Sequence, residues 1–254
     1  MNVRPVRFSL LVAAALCSAA SFAASSSAPH WEYTGHHGAA HWADLNPAFE
    51  ACAKGKSQSP IDIRDAKPAQ LPALAFTYGK VPPSIVNNGH TIQVNVPAGQ
   101  VLRIGDQAYD LLQFHFHTPS EEHVNGKPTA MVAHFVHRNA AGKLAVVAAM
   151  IQPGKANTGF ESILSHLPAR PGETLTVEGL EVDLASLLPA DRRYYDFEGS
   201  LTTPPCSESV HWMVLTQPVT VSAEAIKRFR RVYSANARPI QPLNGRVVRV
   251  SAQP

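Results

Sequence analysis

Residues 113–117 read QFHFH, two histidines set two apart with a phenylalanine before each. Side chains of a strand alternate between faces, so Gln113, His115 and His117 share one side while Phe114 and Phe116 share the other. Downstream, TAMVAHFVHR (129–138) repeats the alternation, with Val132, His134 and Val136 on one face and Ala133, Phe135 and His137 on the opposite one. If the two runs pair as antiparallel neighbours, the phenylalanines fall on one sheet face and three histidines converge on the other. Three neutral imidazoles favour a transition ion such as zinc and leave a fourth position open, which points to catalysis rather than bracing. Spacing alone leaves the third ligand open between His134, His123 and His137, and an H-x-H pair also suits a hydrogen-bonded core.

Strand signals continue outward in both directions. PSIVNNGHTIQVNV (83–96) alternates about an Asn-Gly turn, QVLRIGDQAYDLLQFHFH (100–117) follows, and KLAVVAAMIQ (143–152) comes after the second histidine run. Helical pattern is confined to FESILSHL (160–167) and SAEAIKRFRRVY (222–233), where Ser222 stands at an N-cap position with basic residues further along. The 21 prolines fall mostly between these segments, marking loops. With no composition break from Trp31 to Val250, the chain reads as one β-rich domain with a few surface helices.

A hydrophobic content of 45% supplies a core, and 16% charged residues among 254 argue against disorder or coiled coil. The opening MNVRPVRFSLLVAAALCSAASFA has the layout of a secretory signal: two arginines, an apolar run, then Ser21-Phe22-Ala23, predicting cleavage after Ala23 (signal 1–23, flexible leader 24–30, domain 31–254). No later apolar stretch approaches the ~20 residues of a membrane span. Removing Arg4 and Arg7 leaves 20 basic against 19 acidic residues, so the charge balance points neither to nucleic acid nor to an anionic membrane. Cys17 leaves with the signal, and in an oxidising compartment the remaining pair, Cys52 and Cys206, is most simply a disulfide. The alternative is two unrelated buried thiols.

Several segments together resemble, in order, the α-class carbonic anhydrases: QSPIDI (58–63), NNGH (87–90), QFHFH (113–117), SEEH (120–123), AHFVH (133–137), LAVV (144–147) and SLTTPPCSE (200–208). WEYTGHHGAAHW (31–42) resembles the bacterial members, and ARPIQPLNGR (237–246) the family's closing segment. The resemblance implies a mainly β (α+β) fold: one domain around a large, mostly antiparallel twisted sheet with zinc at the base of a conical cleft. The implied activity is reversible CO2 hydration, with activated esters as possible side substrates. The signal layout predicts export, to the periplasm in a Gram-negative host, and the resemblance implies a monomer or homodimer.

Residue by residue, the resemblance implies one Zn2+ held by His115, His117 and His134. It would lower the pKa of its water to about 7, the reference value for this family. Thr202 and Glu122 match the pair that orients the resulting hydroxide: a carboxylate only accepts, so the threonine hydroxyl must donate to it and accept from the nucleophile. Val136, Val146, Leu201, Thr203, Val210 and Trp212 match the substrate pocket. His90 matches the proton shuttle, which is needed because an acid of pKa about 7 passes protons to bare water at only roughly 10^3 per second. Tyr33, Asn88 and Gln93 match the water path, and Gln113 the partner of the first ligand. The disulfide would tie the segment before QSPIDI to the TTPP loop, and Ser59-Pro60 and Pro204-Pro205 match cis peptide bonds. Three departures stand out: Val132 where the third ligand's supporting glutamate belongs, Ala237 where tryptophan is frequent, and a ligand hairpin one residue short. With valine at 132, His134 needs another acceptor, a neighbouring acid such as Glu121, or zinc binding weakens. The rival reading is an acatalytic carbonic-anhydrase-like binding protein.

Overall fold

The computed structural model describes residues 29–252, so the expected signal segment 1–23 lies outside the described residues. The histidine-bearing strands, Gln107–His117 and Met131–Arg138, pair antiparallel in the register the alternation predicts: His134 opposite His115, Val132 opposite His117, Phe135 opposite Phe114. They lie near the middle of a thirteen-stranded sheet. Ser84–Asn87 and Ile92–Asn95 flank them on one side, and Leu144–Pro153, Glu208–Leu215 and Tyr194–Ser200 on the other. The pairing is mostly antiparallel. The exceptions are Leu144–Pro153 with Glu208–Leu215 and with Val219–Val221, and Arg249–Ser251 with Lys67–Ala69.

The two sheet faces carry different cores. Phe114, Phe116 and Phe135 join the larger apolar cluster, where they meet Phe160, Ile163 and Phe229 of two covering helices. Those helices are Thr158–Leu164 and Ala223–Val232, each within a few residues of its predicted span. Asn157 caps the first by accepting from Phe160 N, and Ser222 caps the second by accepting from Ala225 N. The histidine face carries a smaller cluster containing Ile61, Val132, Val146, Val210 and Trp212.

Cys52 and Cys206 are bonded, with Cα atoms 5.0 Å apart. The link joins the one-turn helix Ala51–Lys54 to the loop after Ser200, in which Leu201 N donates to Ser207 O and Cys206 N to Thr203 O. The expected cis bonds occur at Ser59-Pro60 and Pro204-Pro205, and a third at Thr118-Pro119. No helix among the described residues is long and apolar enough to cross a membrane.

Candidate metal centre

Strand alternation brings His115, His117 and His134 together: one ligating nitrogen from each lies within 4.8 Å of the others. Each ring is held by a different acceptor. His115 Nδ1 donates to Gln113 Oε1 at 2.9 Å, His117 Nδ1 to the Asn236 carbonyl at 2.7 Å, and His134 Nε2 to Glu122 Oε2 at 3.1 Å. That commits one nitrogen per ring and fixes the tautomers, leaving Nε2, Nε2 and Nδ1 as free acceptors. Nε2 of His117 is buried with no protein partner, an arrangement that is costly unless something electropositive sits there. Neither alternative third histidine joins the cluster. His123 pairs beside Asp62 in a short parallel ladder, and His137, on the opposite face, meets Tyr78 Oη at 2.5 Å and the Ala145 carbonyl at 3.2 Å.

Electrostatics favour the neutral form of His115 and His117. Burial, with His134 nearby, pushes His115 down to about 3, and the same causes take His117 well below the ordinary histidine range. Burial acts most strongly against a charged His134, but the Glu122 and Glu121 carboxylates together outweigh it and the net shift is upward. Burial lifts Glu121 to about 7, opposed first by His134. A divalent ion among the three rings would favour the ionised carboxylate.

The carboxylate beside Thr202 is Glu121, which corrects the assignment to Glu122. Glu121 Oε1 accepts from Arg238 N at 2.8 Å, and Thr202 lies near enough to the same carboxyl to favour its ionised form, although burial keeps the net shift upward. Glu121 Oε2 itself has no hydrogen-bond partner in the protein. Glu122 meets His134 Nε2 through its Oε2 at 3.1 Å, and Glu121 Oε2 stands 3.9 Å from Nδ1 of the same ring.

Val146, Val210 and Trp212 belong to the apolar cluster on the histidine face, with Val136 and Leu201 packed against it and the Trp212 ring 4.9 Å from that of His134. Thr203, half-buried, stands at the turn that receives Cys206 N. His90 is half-buried and stacked on Trp31 with ring centroids 3.6 Å apart; burial and then His30 lower its pKa. Asn88 Oδ1 caps the His90 turn by accepting from His90 N and Thr91 N, and its amide faces Gln93 at 3.4 Å. The Tyr33 hydroxyl is buried without a protein partner, its pKa raised by burial and then by Glu121.

Sequence reasoning missed Asn236 and Arg238 as site residues. Asn236 bonds His117 through its carbonyl and also donates to the carbonyls of His90 and Phe116. The buried Arg238 guanidinium binds Gln58 Oε1 and the carbonyls of Ser59 and Cys52. Arg238 lies in the ARPIQPLNGR segment and Asn236 just before it, and the segment's match to a family carries no role for single residues.

A sequence model described as eukaryotic-type carbonic anhydrase matches residues 37–252. A carbonic anhydrase of Pectobacterium carotovorum is 45% identical over 95% of this chain and 98% of its own length. Among solved structures, the α-carbonic anhydrase of Photobacterium profundum superposes with a TM-score of 0.82 at 44% identity, covering 86% of this chain and 99% of that one. That of Thermovibrio ammonificans, in complex with the inhibitor sulfanilamide, gives 0.85 at 41% identity, covering 89% and 100%.

Proposed function

The chain belongs to the eukaryotic-type (α-class) carbonic anhydrases, zinc lyases that interconvert CO2 with bicarbonate and a proton, and from that premise we propose how its own residues carry the reaction. His115, His117 and His134 hold one zinc per chain. The supporting observation is that each ring has one nitrogen bound to a fixed acceptor and one to give, including the orphaned Nε2 of His117. Zinc bound there supplies water acidified to about 7, the value established for carbonic anhydrases as a class.

Thr202 has one proton, and giving it to Glu121 leaves the hydroxyl as an acceptor towards the attacking oxygen. Only an oxygen that brings its own proton is welcome in that position, so its lone pair turns to the substrate. CO2 carries no charge, and Val136, Val146, Leu201, Val210 and Trp212 give it a wall without competing polar groups, with Thr203 at the edge. His90, an imidazole whose pKa burial and then His30 lower, takes the product proton towards buffer along water ordered by Tyr33, Asn88 and Gln93. The same nucleophile gives weak hydrolysis of activated esters.

The protein is exported: residues 1–23 are removed as a signal, 24–30 are a leader, and 31–254 act in the periplasm, where the Cys52–Cys206 bond is stable. The acatalytic rival rested on Val132, and the Glu122 contact with His134 removes that ground. Stopped-flow CO2 hydration by the mature protein, before chelation, after it and after added zinc, tests the reading. Turnover that disappears and returns with one zinc per chain is the expected result; full zinc without turnover supports the rival.

A further inference from the structure

His134 has a support built from an unexpected direction. On its own strand the side chain two residues earlier shares its face. That residue is Val132, fully buried in the apolar cluster with Ile61, Ile63 and Met150, and it can accept nothing. The acceptor comes instead from the turn: Glu122 Oε2 lies 3.1 Å from His134 Nε2, both side chains being essentially without solvent. The turn is pinned on both sides of Glu122. Ser120 Oγ donates to Glu122 O at 2.8 Å and accepts from Thr129 N at 2.8 Å, and His123 N donates to Ile61 O at 3.2 Å. Glu122 Oε1 has no protein partner, so the carboxylate is committed to His134.

We propose that Glu122 is the positioning residue for His134, replacing from the turn an acid that the strand lacks at Val132, and that positions 122 and 132 are alternative sources of one carboxylate for one imidazole N–H. The inference rests on His134 being a metal ligand. It predicts that the two positions are coupled. Neither an empty pair nor a doubly acidic pair fits, because one leaves a buried N–H without an acceptor and the other crowds two carboxylates on one donor.

The test is the zinc dissociation constant of the mature protein, by competition with a chromophoric chelator, together with the thermal midpoint of the metal-free form. Glu122→Ala should weaken zinc binding by about 10- to 100-fold, the usual cost of losing such a support. Val132→Glu alone should also weaken it, while Glu122→Ala combined with Val132→Glu should return to within a few-fold of the parent. Parental affinity in Glu122→Ala, or a double variant binding no tighter than Glu122→Ala, overturns the proposal. Should Glu122→Ala not fold, the near-isosteric Glu122→Gln carries the same test: its affinity should be weaker than the parent's and be recovered by Val132→Glu, and equality with the parent overturns the proposal. A parent that takes up no zinc would defeat the metal centre itself rather than the role of Glu122.

Discussion

Bonds at Ser120 and His123 hold two adjacent glutamates in place: Glu122 meets His134 Nε2, while Glu121 accepts from Arg238 N and brings its other oxygen to 3.9 Å from His134 Nδ1. Substitutions at the two positions should therefore fail differently. Glu121→Gln can no longer enforce the direction of the Thr202 proton, and CO2 hydration should fall on the order of 10^2-fold with zinc content unchanged. Thr202→Ala should lose a similar factor, and the double variant little more, since the two act as one unit. Stopped-flow rates beside metal analysis check this, and losses that multiply would show the residues to act separately. His90→Ala should leave hydration limited near the roughly 10^3 per second of proton release to water, in dilute buffer. Added imidazole buffer should restore it, and a variant insensitive to buffer would place the relay elsewhere.

On the scale of elements, the alternation of QFHFH and AHFVH made both ligand strands, their register and the division between phenylalanine and histidine faces legible, because a period of two leaves little freedom once one face is buried. The two longer helices were legible from their apolar pattern, the second also from its Ser222 cap. Trp42–Leu45 and Ala51–Lys54 were not, since four residues are too few to display a helical period. The roles of the two glutamates were invisible for a related reason: a turn has no fixed period, and which group each of two neighbouring acids meets is decided by distant partners such as Arg238 N and Ile61 O. The back of the second ligand strand carries its own prediction. His137 is fully buried and neutral, bonded to Tyr78 and Ala145, and burial pushes it down to about 4. An unfolded histidine titrates near ~6.5, so between that pH and about 4 the unfolded chain binds a proton that the folded one does not. Stability contributed at this site is therefore full above that window and declines as pH falls through it, by about 3 kcal/mol in all. The stability gap between parent and His137→Gln should close by that amount from pH 7 to pH 4 in denaturant titrations; a constant gap would contradict the assignment.

Across the whole molecule, the site is assembled from segments far apart in sequence: the two ligand strands, the turn bearing Glu121 and Glu122, the Thr202 loop, and the closing segment with Asn236 and Arg238. The Cys52–Cys206 bond spans 154 residues and fastens the Thr202 loop to the segment near Arg238's carbonyl partner. Replacing both cysteines by serine should cost up to about 5 kcal/mol in the chain-entropy account. It should also lower hydration in the still-folded protein at 25 °C, because the threonine is less well held; unchanged activity would separate the bond from the site. The most direct test of the central claim, that three imidazoles with three different acceptors hold one zinc, is a crystal structure of the mature protein with anomalous data at the zinc edge. The account predicts a single peak at about 2.0–2.1 Å from one nitrogen each of His115, His117 and His134, with Glu122 on Nε2 of His134. A peak elsewhere, or zinc bound with Glu122 turned away from His134, would contradict it.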